Sequence, residues 1–314
     1  MTDKDRRCLA IVGPTASGKS RLGLLIAERT GGEIVSADSR QLYRYMDIGT
    51  AKPSDEERRI AAHHLIDIMD PDEECSAGAF ARFGQPVIED ILDRGKLPVI
   101  VGGSGLYIDG LEGRIFAREM ETANARKRLR AESAHHPRSL HERLSKVDPS
   151  AAEKIHPHDT KRLIRALEVH SITGRRISAL QQRNRRPSYT IQFFGLRWDR
   201  KALYARIEER VDRMIGEGLV DEVRSLLGRG YDATLNAMDS IGYKEMIPVV
   251  EGKCELGEAV ALLKRNTRRL AKKQMTWFRR LEGLQWLDLT VDSDWDELCS
   301  HVIDSYHAFS PGVK

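Results

Sequence analysis

The sequence lacks any long uncharged apolar run, and its first residues show no charged n-region, apolar h-region and cleavage site. These absences argue against a membrane span and a secretory signal. Cysteine is also scarce: Cys8, Cys75, Cys254 and Cys299 lie far apart and form no CxxC pair, which disfavours a zinc ribbon or a disulfide scaffold. We therefore expect a soluble, cytoplasmic protein with reduced thiols and no membrane partner.

Charge is distributed unevenly along the 314 residues. The net charge is only +4, but residues 121–190 hold sixteen Lys or Arg against seven Asp or Glu. A second run, residues 264–280, has eight cationic side chains and no acidic one. A single run of this kind is often only a solvated helix face. Two such runs in one chain, together with the phosphate-binding motif described below, favour a nucleic-acid backbone as the partner.

Apolar and β-branched runs alternate with helical patterns along much of the chain. Strands are predicted at residues 9–12, 33–36, 97–101 and 190–196. This alternation is typical of an α/β fold, here a P-loop-type parallel sheet flanked by helices. Strand signals vanish between residues 121 and 189, where helical patterns with Pro and Gly breaks dominate. We predict a core domain of residues 1–120 and 190–314, with an inserted, basic, all-helical domain of residues 121–189.

Residues 13–20 match the phosphate-binding pattern G-x-x-x-x-G-K-[ST] between a predicted strand and a predicted helix, as that motif requires. The glycines let backbone N–H groups turn toward phosphate oxygens, and the lysine and the helix N-terminus add positive charge. The hydroxyl of Ser20 can hold Mg²⁺. The predicted diphosphate or nucleotide site is Gly13, Pro14, Thr15, Ala16, Ser17, Gly18, Lys19 and Ser20.

An NTPase reading of this motif also needs an aspartate after a later strand, and the sequence offers no plain one. The strand at 97–101 runs into Gly-Gly-Ser at 102–104, and Asp67 and Asp70 follow no clear strand. Asp38 does follow a strand, and parallel sheets bind ligands at the carboxyl ends of their strands. We therefore predict that Asp38 and the phosphate-binding loop share one crevice.

Six motifs together carry a family resemblance. They are Gly13-Pro14-Thr15-Ala16-Ser17-Gly18-Lys19-Ser20, Asp38-Ser39-Arg40-Gln41-Leu42-Tyr43, Met46-Asp47-Ile48-Gly49-Thr50-Ala51-Lys52-Pro53, Val101-Gly102-Gly103-Ser104-Gly105-Leu106-Tyr107, Arg162-Leu163-Ile164-Arg165-Ala166-Leu167-Glu168 and Leu270-Ala271-Lys272-Lys273-Gln274-Met275-Thr276-Trp277. On these residues the chain resembles the bacterial-type tRNA dimethylallyltransferases, or tRNA isopentenyltransferases, from about residue 9 to residue 289.

The resemblance implies a reaction and its catalytic residues. The exocyclic N6 of the adenosine at position 37 of tRNA attacks C1 of dimethylallyl diphosphate, and pyrophosphate leaves. The family's base matches Asp38, which would take the proton of the amine. Lys19, the amides from Thr15 to Ser20, Mg²⁺ and a matched arginine, Arg210, would stabilise the departing diphosphate. Ser104 stands where the family pattern leads us to expect threonine, so the hydroxyl is kept and activity is expected.

The resemblance also implies tRNA contacts. The adenosine must leave its stack to enter the crevice, while the basic insertion grips the anticodon arm. The matched tRNA-binding residues are Asp38, Ser39, Arg40, Gln41, Ser104, Arg126, Lys161, Arg162, Leu163, Ile164 and Arg165, with residues 236–243 matched less surely. We expect a monomer that binds tRNA and dimethylallyl diphosphate.

Three alternatives stay open at the level of sequence. A P-loop kinase would transfer a phosphoryl group from ATP. An isopentenyltransferase acting on free adenine nucleotides would have little use for a basic helical insertion. A non-catalytic RNA-binding NTPase switch would use Asp38 only for structure or metal binding.

Overall fold

The computed structural model describes residues 6–115, 128–132, 136, 138–182 and 187–308 of the chain. Its centre is a six-stranded sheet in which every neighbouring pair of strands is parallel. The strands are β1 (Arg7–Val12), β2 (Glu33–Ser36), β3 (His63–His64), β4 (Pro98–Gly102), β5 (Thr190–Trp198) and β6 (Gln285–Leu289). Their spatial order is β3-β2-β4-β1-β5-β6. The predicted α/β class with a parallel sheet is confirmed.

Helices connect and cover these strands. In chain order they are α1 (Lys19–Thr30), α2 (Asp55–Ile60), α3 (Ala77–Asp93), α4 (Gly105–Leu111), α5 (Ser139–Val147), α6 (Pro149–Lys154), α7 (Thr160–Thr173), α8 (Ile177–Gln182), α9 (Arg200–Gly216), α10 (Leu219–Gly228), α11 (Tyr243–Val250), α12 (Leu256–Phe278) and α13 (Trp295–Ala308). Within the described ranges, none of these helices is both long enough and apolar enough to cross a lipid bilayer.

The four predicted strands are present to within a few residues, but sequence reasoning missed the two edge strands. The edge strand β3 has only two residues, both His, so it offers no apolar run. The opposite edge strand β6 has only five residues, two of them polar and exposed, which is a weak local signal. Both strands form because a neighbouring strand offers them hydrogen bonds.

The sheet has two covered faces, and the alternation along β1 shows how. Cys8, Ala10 and Val12 point into one apolar cluster with α3 and α4, whereas Leu9 and Ile11 point into another with α1 and α9. Burial on both faces explains why the strand reads as a continuous apolar run.

The register of the central strands decides where the loops meet. Val12 at the end of β1 pairs with Gly102 of β4, and Ser36 at the end of β2 pairs with Val101. The loops that follow β1, β2 and β4 therefore leave the sheet side by side. These three loops contain the phosphate-binding motif, Asp38 and Ser104, respectively.

The helices α5 to α8 have an apolar core of their own. Leu140, Leu144, Leu163 and Leu167 are buried together there, with Leu129 from the helical residues 128–132. Pro149 stands at the first turn of α6 and Gly174 ends α7 in a left-handed conformation, where sequence reasoning had placed breaks. The predicted domain boundary near residue 121 lies outside the described residues, so the division into domains stays a prediction.

Candidate active site

A cavity of about 1480 Å³ opens at the carboxyl ends of β1, β2 and β4. It collects most of the predicted site residues of the core, namely Thr15, Lys19, Ser20, Asp38, Ser39, Arg40, Gln41, Ser104 and Arg210. The predicted crevice shared by Asp38 and the phosphate-binding loop is therefore present. Arg210 joins it from α9, nearly two hundred residues away along the chain, because α9 lies against α12 and the loops at this edge of the sheet.

The phosphate-binding loop (residues 13–20) is held from behind by side chains of β5 and α9. Trp198 donates its indole N–H to the carbonyl of Ser17 at 2.9 Å, and Arg206 donates its Nε–H to the carbonyl of Ala16 at 2.9 Å. Arg206 also stacks on the Trp198 ring at 4.3 Å from its centroid. The C=O of Ser17 and the N–H of Gly18 belong to one trans peptide and point in opposite directions. The bond to Trp198 therefore turns the N–H of Gly18 away from Trp198.

Two residues of the loop adopt backbone conformations that favour glycine. Gly18 has a φ of 92°, and a side chain there would collide with the ring of Trp295. Ala16 also has a positive φ, of 62°. Lys19 and Ser20 then open α1, where first-turn amides have no acceptor within the helix and are available to an anion.

Two of the predicted phosphate-facing amides are already used. The N–H of Thr15 donates to Oε1 of Gln274 at 2.9 Å, and the N–H of Ser17 donates to the carbonyl of Pro14 at 3.3 Å. That the amides from Thr15 to Ser20 stabilise a diphosphate stays a prediction, but these two have protein acceptors in this structure. The amides of Lys19 and Ser20 are the strongest remaining candidates.

Lys19 and Arg210 are half-buried cations that share one carboxylate neighbour. Burial lowers the pKa of Lys19 to about 8; the charge of Asp38 opposes that shift, and the charge of Arg210 adds to it. The pKa of Arg210 is also lowered, again by burial first, and again Asp38 opposes the shift. Two desolvated cations facing a single carboxylate make a local excess of positive charge, which suits a multiply charged anion.

Asp38 is held in place by its own loop and by the loop after β4. Its Oδ1 accepts the N–H of Arg40 at 2.9 Å, so Oδ2 is the carboxylate oxygen available to a ligand. The hydroxyl of Ser104 accepts the N–H of Ser39 at 3.0 Å, and the N–H of Ser104 donates to the carbonyl of Ala37 at 3.2 Å. Ser104 therefore fixes the residues on both sides of Asp38 and keeps its own hydroxyl proton to donate.

Gln41 lines the cavity, but its amide is engaged within the protein. Its Oε1 accepts the hydroxyl of Ser36 at 2.8 Å, and its Nε2 donates to the carbonyl of Ala51 at 3.0 Å. Contact between Gln41 and the target base stays a prediction, and these bonds fix the orientation of its amide at the cavity wall. Arg40, by contrast, donates through Nη1 to the carbonyl of Asn236 at 2.9 Å and keeps its other N–H groups.

Asp67 and Asp70 do not act as the missing NTPase aspartate. Asp67 is paired with Lys52 and, at 2.9 Å, with Arg58, while Asp70 is paired with Arg44 at 3.0 Å. Both carboxylates thus have cationic partners outside the phosphate-binding loop. Neither of these two carboxylates is therefore free to hold a metal ion at the phosphate-binding loop, as an NTPase would require.

The predicted tRNA-binding stretch at 161–165 splits into two groups at the start of α7. Lys161 and Arg162 are exposed, and Arg165 is half-buried with its guanidinium 3.7 Å from Glu168. Leu163 and Ile164 are buried in the apolar core of the insertion. The exposed side chains of this stretch are therefore those of Lys161 and Arg162, and its contact with tRNA stays a prediction. Arg126 lies outside the described residues.

The second basic run lies on α12 and is only partly neutralised. Lys264 is paired with Asp212 at 2.6 Å and Arg268 with Glu208 at 2.7 Å, both across to α9. The remaining six cations are exposed. Arg265, Arg269, Lys272 and Lys273 follow helical spacing on α12, and Arg279 and Arg280 come directly after its last residue. We call these six side chains the α12 basic face.

Sequence reasoning missed the residues that join the loops to one another. Gln274, Trp198 and Arg206 all bind backbone atoms of the phosphate-binding loop. Gln274 had a signal, since it stands in one of the motifs that carried the family resemblance. Trp198 and Arg206 had none, because a tryptophan in a strand and an arginine on a helix are ordinary local features.

Comparison with known proteins now decides the family. A family model described as IPP transferase matches residues 41–281, and one described as Isopentenyl transferase matches residues 6–67. The chain belongs to the IPP transferase family. The resemblance seen in the sequence is therefore confirmed.

Relatives of this IPP transferase family member are similar over almost their whole length. The tRNA dimethylallyltransferase of Geobacter metallireducens is 50% identical over 98% of this chain and all of its own, and that of Pelotomaculum thermopropionicum is 47% identical over 96% of each. The crystal structure of the full-length tRNA isopentenylpyrophosphate transferase from Bacillus halodurans superposes with a TM-score of 0.73, at 41% identity over 97% of this chain and 96% of its own.

A more distant family structure shares the fold as well. A eukaryotic dimethylallyltransferase, described in crystallographic snapshots of its action on tRNA, has a TM-score of 0.82 at 29% identity over 98% of this chain and 81% of its own. The fold is thus similar to those of a bacterial and a eukaryotic protein of this kind.

Proposed function

We propose that this chain transfers a dimethylallyl group from dimethylallyl diphosphate to N6 of the adenosine at position 37 of tRNA, and releases pyrophosphate. One observation carries the proposal beyond family membership: Lys19 and Arg210, both desolvated, lie with Asp38 in one cavity at the end of the phosphate-binding loop. That arrangement pairs an anion-binding site with a carboxylate base.

The bond changes follow from these positions. The lone pair of N6 forms a bond to C1 of the donor while the bond from C1 to the diphosphate oxygen breaks, and the bonding electrons leave with the diphosphate. N6 is a weak nucleophile because its lone pair is delocalised into the purine ring. It must also lose a proton, because it would otherwise carry a positive charge once it is bonded to C1. In this proposal Asp38 accepts that proton at Oδ2, because Oδ1 already accepts the N–H of Arg40.

The leaving group is where the cations act. Negative charge accumulates on the diphosphate as the C–O bond breaks, and Lys19, Arg210 and the first-turn amides of α1 stabilise it. The cations are held before the donor arrives, so little reorganisation is needed during the reaction. The phosphate-binding loop then binds the dimethylallyl donor instead of ATP. This explains why the metal-binding aspartate of an NTPase is not needed.

The residues present also fit Mg²⁺. This ion prefers oxygen ligands and usually keeps several waters. Ser20 is exposed to the cavity beside Lys19 and offers a hydroxyl oxygen. In the described part of the chain no cluster of three or more His, Cys, Asp or Glu could hold a metal by itself. Ser20 would therefore hold Mg²⁺ together with diphosphate oxygens and water, and the bound ion would offset charge on the departing diphosphate.

Two groups of exposed cations contact the tRNA in this proposal. Lys161 and Arg162 at the start of α7, and the α12 basic face, offer cations to the phosphate backbone. The target adenosine leaves its stack and enters the cavity. We further propose that the enzyme works as a monomer in the cytoplasm, where its four free thiols stay reduced.

The direct test uses the purified protein, radiolabelled dimethylallyl diphosphate, Mg²⁺ and unmodified tRNA with adenosine at position 37. Nucleoside mass analysis should find isopentenyladenosine at that position. A matched tRNA with guanosine at position 37 should take no label. Asp38→Asn serves as the enzyme control, because it keeps the side chain's shape and removes the base.

Other outcomes would redirect the proposal. Label in free adenine nucleotides but not in tRNA would indicate an isopentenyltransferase of free nucleotides. Consumption of ATP with phosphoryl transfer would indicate a kinase. Full activity of Asp38→Asn would remove Asp38 as the base while leaving the reaction itself in place.

A further inference from the structure

Gln274 of α12 joins two loops of the active site with one side chain. Its Oε1 accepts the N–H of Thr15 at 2.9 Å, and its Nε2 donates to the carbonyl of Gly103 at 3.0 Å. Turning the amide over would set donor against donor and acceptor against acceptor, so both bonds fix its orientation. Among side chains of this length, only a glutamine both accepts and donates in this way.

The packing around Gln274 leaves little freedom for this junction. A Cβ on Gly103 would collide with the side-chain amide of Gln274, and one on Gly105 would collide with the ring of Trp277. Gln274 and Trp277 are three residues apart on α12, so they face the same way. The helix therefore sits directly against the loop of residues 103–105 at two successive points.

The contacts continue from Gly103 to the proposed base. The next residue, Ser104, donates its N–H to the carbonyl of Ala37 and accepts the N–H of Ser39. These are the two neighbours of Asp38. An unbroken path thus runs from the phosphate-binding loop through Gln274, Gly103 and Ser104 to the base.

We propose that Gln274 is a positioning residue that sets the distance between the phosphate-binding loop and Asp38. The inference rests on the proposed function, because it concerns the separation between the donor's C1 and the group that takes the proton from N6. Among the described contacts, no hydrogen bond joins the phosphate-binding loop directly to Asp38. Misplacement of reacting groups by about 1 Å costs on the order of a hundredfold in rate.

The test compares Gln274→Met with Gln274→Glu. Methionine is close in length and volume but neither donates nor accepts a comparable hydrogen bond, whereas glutamate keeps only the acceptor toward Thr15. We expect the single-turnover transfer rate at saturating donor and tRNA to fall about 10- to 100-fold in Gln274→Met, with Gln274→Glu in between. Binding of inorganic pyrophosphate and of tRNA should stay within about threefold, because Lys19, Arg210 and the basic surfaces are unchanged.

A matched control separates positioning from general loss of stability. Gln192 is a buried glutamine on β5 outside the cavity lining, and its side-chain amide donates to the carbonyl of Ser305. Gln192→Met should lower the melting temperature without lowering the transfer rate. A double-mutant cycle of Gln274→Met with Ser104→Ala should give losses well below the product of the single losses, since both act through one path.

Several results would overturn the inference. The transfer rate could be unchanged in Gln274→Met, or Gln274→Glu could be fully active. Weaker pyrophosphate binding could account for the whole loss of rate. The losses of the two single variants could also multiply in the double variant. Failure of the proposed function is distinguishable, because then the unaltered protein would form no isopentenyladenosine.

Discussion

The lowered pKa of Lys19 makes the enzyme's affinity for its donor depend on pH in a particular direction. Burial and Arg210 bring this pKa down to about 8, so the free enzyme loses the Lys19 charge as pH rises through that value. About nine in ten molecules carry the charge at pH 7 and roughly one in ten at pH 9. If only the charged form binds the donor productively, kcat/KM for the donor falls about tenfold over that range.

The assay measures initial transfer rates at low donor concentration between pH 6.5 and 9.5. The value of kcat at saturating donor should hold to higher pH, because the bound diphosphate raises the pKa of Lys19 again. Two variants shift the inflection in opposite directions. Arg210→Met removes a positive charge that repels Lys19, so the inflection moves above pH 8. Asp38→Asn removes a negative charge that attracts Lys19, so the inflection moves below pH 8.

Because Asp38→Asn is expected to be inactive, the three proteins are compared by pyrophosphate binding at each pH. The ligand's own ionisation is common to all three. The titration of Lys19 cannot lower binding by unfolding the protein as pH rises. Its pKa in the folded protein lies below its value of 10.5 in the unfolded chain. The unfolded chain therefore binds more protons between pH 8 and 10.5, and the Lys19 contribution to stability rises with pH there. A donor kcat/KM that stays flat to pH 9.5, or shifts of equal sign in the two variants, would refute the reasoning.

Three further predictions address the base, the RNA grip and the insertion. Asp38→Ala should abolish transfer in the radiolabel assay while tRNA binding by filter retention stays within about tenfold; a mutant with substantial activity would contradict the assigned role. Replacing Lys161, Arg162 and Arg165 together by Gln should weaken tRNA binding and reduce the slope of log K against log salt by about 2 to 3, and an unchanged slope would count against phosphate contacts. Leu163→Ala should cost about 2–5 kcal/mol of folding free energy in denaturant titrations, because Leu163 is buried in the small core of the insertion; an unchanged unfolding midpoint would show that this core contributes little.

The predicted site residues fared differently according to what the prediction depended on. Lys19, Ser20 and Asp38 lie in one cavity as predicted, because the phosphate-binding motif and Asp38 each follow a predicted strand and parallel strands end at one edge. Ser104, which lines the same cavity, was predicted from the family resemblance. Arg210 came only from family resemblance, since an arginine inside a helix has no local mark of function. These four loop residues and Arg210 meet in one cavity.

Some predicted site residues have partners within the protein that a local pattern does not reveal. Thr15 and Gln41 form hydrogen bonds with distant or irregular segments. Leu163 and Ile164 lie beside exposed cations in their motif, but the helical period turns them into the apolar core. The motif therefore predicts the stretch, and only the fold decides which of its side chains are exposed.

The sequence by itself determined the parallel sheet, the phosphate-binding loop, the position of Asp38 at a strand end and the basic insertion, because each depends on spacing within a short segment. The tertiary structure alone decided how those parts are joined and charged. Thr15 and Gln274 are 259 positions apart, and Gln274 and Gly103 are 171 apart. The pKa of Lys19 likewise depends on burial and on Asp38 and Arg210. Hydrogen-bond partners and desolvation are properties of neighbours in space, so no local pattern of residues encodes them.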